Sequence, residues 1–172
     1  MASYSANNTP VMDNPIPKPS VPWHRVIKDD INMVGKCIAY YEHELKHAHE
    51  EFKLNNMNIQ WAATHLPYFS HYRETQYREI EMVVEQLEIL HAEKVKNTYQ
   101  KYAEAYHRKM STTDLKIYVE GDLDIIKSKN IMLEIAALRN QFLTIVKKYD
   151  SIGWSLKNLV EIRKAGLEGT ML

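Results

Sequence analysis

The last third of the chain carries one stripe of apolar residues whose spacing alternates between three and four. Its members are Ile135, Leu138, Phe142, Ile145, Tyr149, Ile152, Leu156 and Leu159. This spacing is that of a coiled-coil seam, and it continues past Gly153 without a break. It predicts one helix from about Asp122 to Lys164, roughly 60 Å long at 1.5 Å per residue. Because one domain of this size is too small to cover such a rod, we expect the chain to associate with copies of itself.

The same alternation predicts two earlier helices. The first spans about 23–54, on the apolar positions Ile27, Ile31, Val34, Ile38, Tyr41, Leu45, Ala48 and Phe52. Asn55 and Asn56 end it. The segment Ile59–Phe69 has a helical pattern that Pro67 interrupts. The second long helix begins at about Ser70, and its apolar face carries Ile80, Val84, Leu87, His91, Val95, Tyr99, Tyr102 and Tyr106.

Capping residues set the predicted boundaries of the last two segments. A Ser-Thr-Thr run at 111–113 breaks the second helix, and the following stretch, 114–121, fits a strand and a short helical turn equally well. Asp122 is the predicted N-cap of the third long helix, with Asp124 in its first turn, and Gly166 marks its end. We therefore expect an all-α fold of three long helices with coiled-coil-like heptads, the last of which forms an oligomeric interface.

The first twenty-one residues differ in composition from the rest of the chain. Four of the six prolines fall before Val21, among Ser, Asn and Asp residues. This composition predicts a disordered tail over 1–21. The predicted organisation is then a tail (1–21), an N-terminal helix (22–56), a central helical region (57–121) and a C-terminal oligomerisation helix (122–172).

Several classes of protein are excluded by what the sequence lacks. No segment has the apolar run of a signal peptide or a membrane span. Cys37 is the single cysteine, which excludes a disulfide framework and a Cys-based zinc site. No phosphate-binding glycine loop, nucleophile elbow or catalytic dyad is present. We expect a soluble cytoplasmic protein that is not an enzyme and holds no cofactor.

The charges are balanced in number but not in position. The 22 Lys and Arg residues match 22 Asp and Glu residues, and a zero net charge argues mildly against nucleic-acid binding. Between positions 94 and 116, however, six cations outnumber two acids. The cations are Lys94, Lys96, Lys101, Arg108, Lys109 and Lys116.

Three tyrosines, at positions 99, 102 and 106, alternate with these cations. Single-stranded DNA presents phosphates that need cations and unstacked bases that stack on aromatic rings. The stretch is therefore a candidate DNA-binding surface. Two alternatives remain open: the tyrosines also continue the apolar stripe of the second helix and would then pack in the core, and the lysines would then form a solvated face.

A metal-binding bundle is a rival interpretation. Glu44-x-x-His47 and Glu88-x-x-His91 each place a carboxylate and an imidazole one helical turn apart. Ferritin-like di-iron bundles use two such pairs plus a glutamate from each of two further helices. Here His47 falls on the polar side of the first helix, and a fourth donor helix is missing. We therefore predict no metal site.

Two segments of the C-terminal third carry a specific pattern, DLKIYVEGDLDIIK (114–127) and SIGWSLKNLVEIRKAG (151–166). The residues of the pattern are Asp114, Leu115, Lys116, Asp122, Asp124, Ile125, Ile126, Lys127, Gly153, Trp154, Leu156, Lys157, Glu161, Ile162 and Arg163. From Asp114 onward the chain resembles the UvsY recombination mediators of T-even and related phages in these residues and their spacing. A weaker similarity extends back to about Glu44.

The resemblance implies a function and a set of sites. UvsY-like proteins are not enzymes; they bind single-stranded DNA as rings of six or seven subunits, and they help a phage recombinase to displace the single-strand-binding protein. The DNA-contacting residues would be Lys94, Lys96, Tyr99, Lys101, Tyr102, Arg108 and Lys109. The oligomerisation residues would be Leu138, Phe142, Ile145, Tyr149, Ile152, Trp154, Leu156, Leu159 and Arg163. A phage-encoded protein of this kind would act in the host cytoplasm.

A second function remains open. The helical pattern alone also fits a coiled-coil scaffold or assembly protein that does not bind DNA. Arg163 could form an ion pair with an acid of a neighbouring subunit, or contact DNA or a partner. Trp154 lies beside the apolar stripe, and its burial would require a second helix, so we assign it to a subunit contact rather than to a ligand pocket.

Overall fold

The structure, a computed structural model, describes residues 14–51, 59–105 and 111–166. Every regular element in these ranges is helical, which confirms the predicted all-α fold. The elements are α1 (Trp23–Asp29), a 3₁₀ turn (Ile31–Met33), α2 (Val34–Glu51), α3 (Ile59–Ala105), α4 (Thr112–Gly121) and α5 (Leu123–Lys164). Within the described ranges, no helix combines the length and the apolar character that crossing a bilayer requires.

The two longest helices, α3 and α5, run antiparallel along each other. Near one end, His91 of α3 lies beside Ser128 of α5, with 3.0 Å between the ring Nδ1 and the hydroxyl oxygen. Near the other end, Leu66 of α3 packs in one cluster with Tyr149 of α5. The shorter helices cover this pair, α1 on α3, α2 on α5 and α4 on both. The length of α5 therefore does not by itself require a second copy of the chain.

The helix α5 has the boundaries that its sequence predicts. The Asp122 Oδ1 accepts the Asp124 backbone N–H at 2.8 Å and so caps the first turn. The helix continues through Gly153 and ends at Lys164. Gly166 then takes a φ of +67°, the left-handed conformation that commonly follows a helix and that glycine adopts without a Cβ penalty.

Two clusters of apolar side chains form the core. The first cluster joins α1, α2, α3 and α5 through Trp23, Ile27, Val34, Cys37, Tyr40, Tyr41, Ile80, Val83, Val84, Leu87, Ile135, Leu138 and Phe142. The second cluster lies near the start of α3 and contains Ala48, Ala62, Leu66, Phe69, Ile145 and Tyr149. Most of the stripe from Ile135 to Leu159 is therefore buried in the chain's own core.

The first predicted helix, over 23–54, is interrupted in the structure. Asp30 has an extended backbone (φ −143°, ψ 102°), and its carboxylate accepts the Asn32 N–H at 3.0 Å. This local hydrogen bond offers the backbone an alternative to a continuous helix, as Asp commonly does. The chain therefore turns through 31–33 before α2 begins. The predicted end at Asn55 and Asn56 lies outside the described residues.

The predicted start of the second long helix, at about Ser70, is wrong. The helix α3 begins at Ile59 and continues through Pro67. Proline removes one helical hydrogen bond, but Leu66 and Phe69 on either side of it are buried in the second cluster. Burial of these side chains stabilises the helix across the proline, which the local pattern alone does not indicate.

The ambiguous segment 114–121 is helical. The Ser111 hydroxyl oxygen accepts the Asp114 N–H at 3.1 Å and caps α4. Leu115 and Val119, four residues apart, are both buried and hold one face of α4 against the bundle. The helical alternative is therefore correct for this segment, and the strand alternative is not.

Part of the segment predicted as a tail packs against the bundle. The Asn14 amide donates to the Tyr40 carbonyl and to the Glu44 Oε1, both at 3.1 Å. The Lys18 Nζ lies 2.6 Å from the Glu79 Oε2, and Ile16 packs on the first cluster. Three residues of the predicted tail, Asn14, Ile16 and Lys18, therefore contact the bundle, and residues 1–13 lie outside the described residues.

Candidate nucleic-acid interface

Five of the seven residues predicted to contact DNA, at positions 94, 96, 99, 101 and 102, lie on the last turns of α3. Lys94, Lys96 and Lys101 are all exposed. The Tyr99 side chain is 37% exposed, enough for one edge or face of its ring to meet a ligand. Arg108 and Lys109 lie outside the described residues. This end of α3 therefore presents three cations and one partly exposed ring to solvent.

The three lysines do not share one face of α3. Lys94 and Lys101 are seven residues apart, close to two full turns, and both line a groove of about 400 Å³ beside Asp122 and Asp124 at the start of α5. Lys96 follows Lys94 by two residues, which turns its side chain roughly 200° around the helix axis. A strand that contacts all three lysines must therefore wrap around α3 rather than follow the groove.

The groove between α3 and α5 contains fixed negative charge. The pKa of Asp122 is lowered, first by the backbone hydrogen bond from Asp124 and further by the Tyr102 hydroxyl and the charge of Lys101. Asp122 is therefore an anion at neutral pH. Its charge offsets part of the positive potential of Lys101, so a phosphate is more favourable on the side of Lys101 that faces away from Asp122.

His91 lies farther along the same side of α3. Burial lowers its pKa, and the positive charges of Lys129 and Lys94 lower it further. The ordinary pKa of histidine, about 6.5, is already below 7. With its pKa lowered further, the His91 imidazole is neutral at pH 7. His91 adds no cation to this surface, and its contact with Ser128 joins α3 to α5.

The predicted DNA-binding residue Tyr102 has a structural role at its hydroxyl. That hydroxyl donates to the Asp122 Oδ2 at 3.0 Å. The Tyr102 ring also lies 6.0 Å from the ring of Tyr118, a residue of α4 that the sequence analysis did not select. Tyr118 is 47% exposed. Its position next to Tyr102 depends on how α4 folds back on α3, which no sequence spacing indicates.

Most of the residues predicted to form the subunit interface are used within one chain. Leu138, Phe142, Ile145 and Tyr149 are each at most 5% exposed. Phe142 makes an edge-to-face contact with Tyr41 at 5.7 Å between ring centroids. Ile152 and Leu156 are partly buried against the second cluster. The first four of these side chains could meet a second copy only if the bundle opened, whereas Ile152 and Leu156 keep part of their surface accessible.

The remaining predicted interface residues lie at the surface near the end of α5. Trp154 is 69% exposed and Leu159 is 47% exposed. Arg163 is also exposed, in the last turn of the helix. Ile162, which is 44% exposed, adds a further apolar side chain to this segment. An apolar surface of this kind on a helix end is a typical contact region for another protein chain.

The two Glu-x-x-His pairs do not form a common site. Glu44 is buried, and its Oε2 accepts hydrogen bonds from Arg73 at 3.0 Å and from Gln76 at 2.7 Å. Its carboxylate is therefore engaged by α3 rather than aligned with His47. In the other pair, His91 contacts Ser128. Within 14–51, 59–105 and 111–166, no three His, Cys, Asp or Glu side chains converge as metal ligands would.

Comparisons of the sequence and of the fold with known proteins found no related protein. No protein-family model, no curated protein and no solved structure matches the chain. The UvsY-like pattern at 114–127 and 151–166 therefore stays a prediction from the sequence. The structure bears on function through the exposed side chains at the end of α3 and at the end of α5.

Proposed function

We propose that this chain is a recombination mediator. It binds single-stranded DNA as a homo-oligomer and helps to load a phage recombinase in place of the single-strand-binding protein, without catalysing a reaction. The observation that carries the proposal is the end of α3, where Lys94, Lys96 and Lys101 are exposed around the partly exposed ring of Tyr99. Cations that track a backbone, together with rings that accept any base, are the means of sequence-independent binding to single strands.

The two protein partners and the cellular location belong to the same proposal. The recombinase and the single-strand-binding protein enter through the resemblance to UvsY-like mediators, as does a ring of six or seven subunits. A protein that exchanges these two partners on phage DNA works in the host cytoplasm. The proposal includes no cofactor and no metal, since the mediator acts only by binding.

The charges at the end of α3 suggest a path for the DNA. Asp122 and Asp124 line the groove and repel phosphates, whereas Lys94 and Lys101 line it from α3 and attract them. The strand therefore runs along the lysines and crosses the outer face of α3, where Lys96 lies. This arrangement engages about three phosphates per subunit, and a ring of subunits multiplies the contacts along one strand.

Self-association is assigned to the exposed end of α5. The apolar side chains of Trp154, Leu159 and Ile162 are available there, in contrast to the buried stripe between Ile135 and Tyr149. A second copy that covers this segment removes apolar surface from water, which favours association. The DNA surface on α3 and the subunit contact on α5 are then separate parts of the molecule.

Charge substitution on α3 tests the DNA-binding surface. In the double variant Lys94→Gln/Lys101→Gln, binding to a labelled single-stranded oligonucleotide should weaken, and the slope of log affinity against log salt should become shallower by about 1.4, or 0.7 per lost phosphate contact. The matched control is Lys36→Gln/Lys46→Gln, which removes two exposed lysines from α2. The control should keep the wild-type slope.

The results separate the two candidate functions. Equal weakening in both double variants would mean that net charge, rather than the α3 surface, controls binding. An oligomer that binds no oligonucleotide even at low salt would contradict the mediator and leave the coiled-coil scaffold as the better description. A stimulated rate of recombinase filament formation on DNA coated with the single-strand-binding protein would support the complete proposal.

A further inference from the structure

The helices α3, α4 and α5 meet at a corner built from Tyr102, Tyr118 and Asp122. Asp122 uses one carboxylate oxygen to cap α5, accepting the Asp124 N–H at 2.8 Å. The other oxygen accepts the Tyr102 hydroxyl proton at 3.0 Å. The ring of Tyr118 lies 6.0 Å from the Tyr102 ring, with 42° between the two planes. Tyr102 is therefore fixed at its hydroxyl, and its ring supports the Tyr118 ring from one side.

The surface around Tyr118 carries both apolar and charged side chains, since Lys116 and Glu120 on the same helix are 75% and 56% exposed. Tyr118 is 47% exposed, and its neighbours in sequence and at the start of α5 are also exposed: Ile117 (64%), Leu123 (71%) and Ile126 (40%). A supported aromatic ring with an accessible part in such a surface is suited to stack on a flat ligand.

The charges beside this corner favour a nucleobase as that ligand. Lys101 precedes Tyr102 on α3 and lines the same groove as Asp122. A phosphate is attracted to Lys101 and repelled by Asp122, so a strand held at the lysine presents its bases, not its backbone, toward the corner. Base stacking on an aromatic ring tolerates any base and needs no hydrogen-bond readout.

We infer that Tyr118 is a base-stacking residue of the DNA interface and that Tyr102 and Asp122 are its positioning residues. The inference rests on the proposed binding of single-stranded DNA, and it adds α4 to a surface that the sequence assigned to α3 alone. It also gives Tyr102 a different role from the one predicted, since Tyr102 supports the stacking ring instead of contacting the base.

Substitution of Tyr118 tests the inference in the full-length protein. Tyr118→Ala should weaken binding to a labelled oligothymidine by about 5- to 150-fold, the range for the loss of one stacked base. The salt dependence should keep its slope, because the ring carries no charge. Tyr118→Phe should bind as the wild type does. Tyr68→Ala is the matched control, since Tyr68 is 56% exposed on the first part of α3, and it should also leave binding unchanged.

An abasic oligonucleotide separates stacking from an indirect effect on the fold. It keeps the phosphates and lacks the bases, so the difference between wild type and Tyr118→Ala should disappear on it. A difference that persists on the abasic strand would overturn the inference. If Tyr118→Ala does not fold by circular dichroism, Tyr118→Trp replaces it; DNA-dependent quenching of the added indole supports stacking, and its absence overturns it.

Failure of the inference and failure of DNA binding give different results. If wild type binds the oligothymidine and Tyr118→Ala binds equally well, Tyr118 does not stack, whereas the proposed function stands. If wild type binds neither strand at low salt, both the function and the inference are overturned. If Tyr118→Ala binds DNA normally but no longer stimulates the recombinase, the corner around Tyr118 is a protein contact and the base-stacking role is wrong.

Discussion

Replacing Arg73 with methionine should strongly destabilise the fold. The Arg73 side chain is fully buried, and its Nη1 lies 3.0 Å from the Oε2 of Glu44, whose side chain is 3% exposed. The same Oε2 accepts the Gln76 amide at 2.7 Å and the Tyr72 hydroxyl at 3.2 Å, and the Asn14 amide binds Oε1 at 3.1 Å. Without the guanidinium, a carboxylate remains buried among neutral donors.

The cost follows from the burial of the charge that remains. Removing one partner of a buried ion pair costs about 3–5 kcal/mol, because the other charge is left without compensation in a medium of low dielectric constant. With a urea dependence of about 2 kcal/mol per M, the midpoint of urea unfolding should fall by about 1.5–2.5 M. Far-UV circular dichroism follows this transition directly, since the described chain is helical throughout its regular elements.

A second arginine on the same helix is the control. Arg78 forms an ion pair with Glu81 at 2.9 Å, but its side chain is 65% exposed, so Arg78→Met should leave the midpoint nearly unchanged. The double variant Glu44→Leu/Arg73→Met should lose less stability than the two single changes together, because no buried charge stays unpaired. Equal midpoints for Arg73→Met and Arg78→Met would refute the reasoning.

Three further predictions concern acid, the helix across the proline, and self-association. Burial raises the pKa of Glu44, but hydrogen bonds from Gln76 and Asn14 and the charge of Arg73 outweigh burial and hold the pKa below its ordinary value. The stability that the lowered pKa gives is complete above about pH 4.5 and is lost as the pH falls through the folded-state pKa. Tm should therefore drop below about pH 4.5. Pro67→Ala should raise Tm, since alanine is favoured over proline inside a helix by up to about 3 kcal/mol. Trp154→Glu should lower the mass measured by light scattering, because it puts a charge into the exposed apolar end of α5.

Each of these predictions has an outcome that contradicts it. A Tm that stays constant from pH 7 to pH 3 would show that Glu44 has no depressed pKa. A lower Tm for Pro67→Ala would mean that the proline is required for the path of α3. An unchanged mass for Trp154→Glu, together with a changed mass for Leu138→Asp in a folded protein, would place the subunit contact on the buried stripe instead.

Features that depend on a few neighbouring residues could be predicted from the sequence. The start of α5 at Asp122 and its end before Gly166 follow from capping chemistry within one turn, and both are confirmed. The stripe from Ile135 to Tyr149 correctly identifies a buried face, but a stripe does not reveal what covers it. In the structure α1, α2 and α3 of the same chain do so.

Features that depend on contacts between distant segments could not be predicted. The continuation of α3 through Pro67 requires packing of Leu66 and Phe69 on α5. The contact of Asn14 with Glu44 forms only because the segment before α1 packs against α2, which follows it in the sequence. In a pattern analysis Glu44 suggested a metal ligand, because its true partner, Arg73, lies on another helix and has no fixed sequence spacing from it.

The candidate site was predicted only in part for the same reason. The cations of the 94–101 stretch were recognised from local composition, and all three are exposed in the structure; their role in DNA binding stays a prediction. Their division between two faces of α3 follows from helical geometry once the groove is known. Tyr118, the stacking residue that we infer, could not be selected from the sequence because its contact with Tyr102 joins two different helices.

Affinity for single-stranded DNA as a function of salt tests the central claim most directly. The measurement is fluorescence anisotropy of a labelled oligonucleotide with the full-length protein at several salt concentrations. If Lys94, Lys96 and Lys101 contact two or three phosphates, log affinity should fall linearly with log salt, with a slope of about −1.4 to −2.1 per subunit engaged. No binding at low salt, or binding that salt does not weaken, would contradict the account.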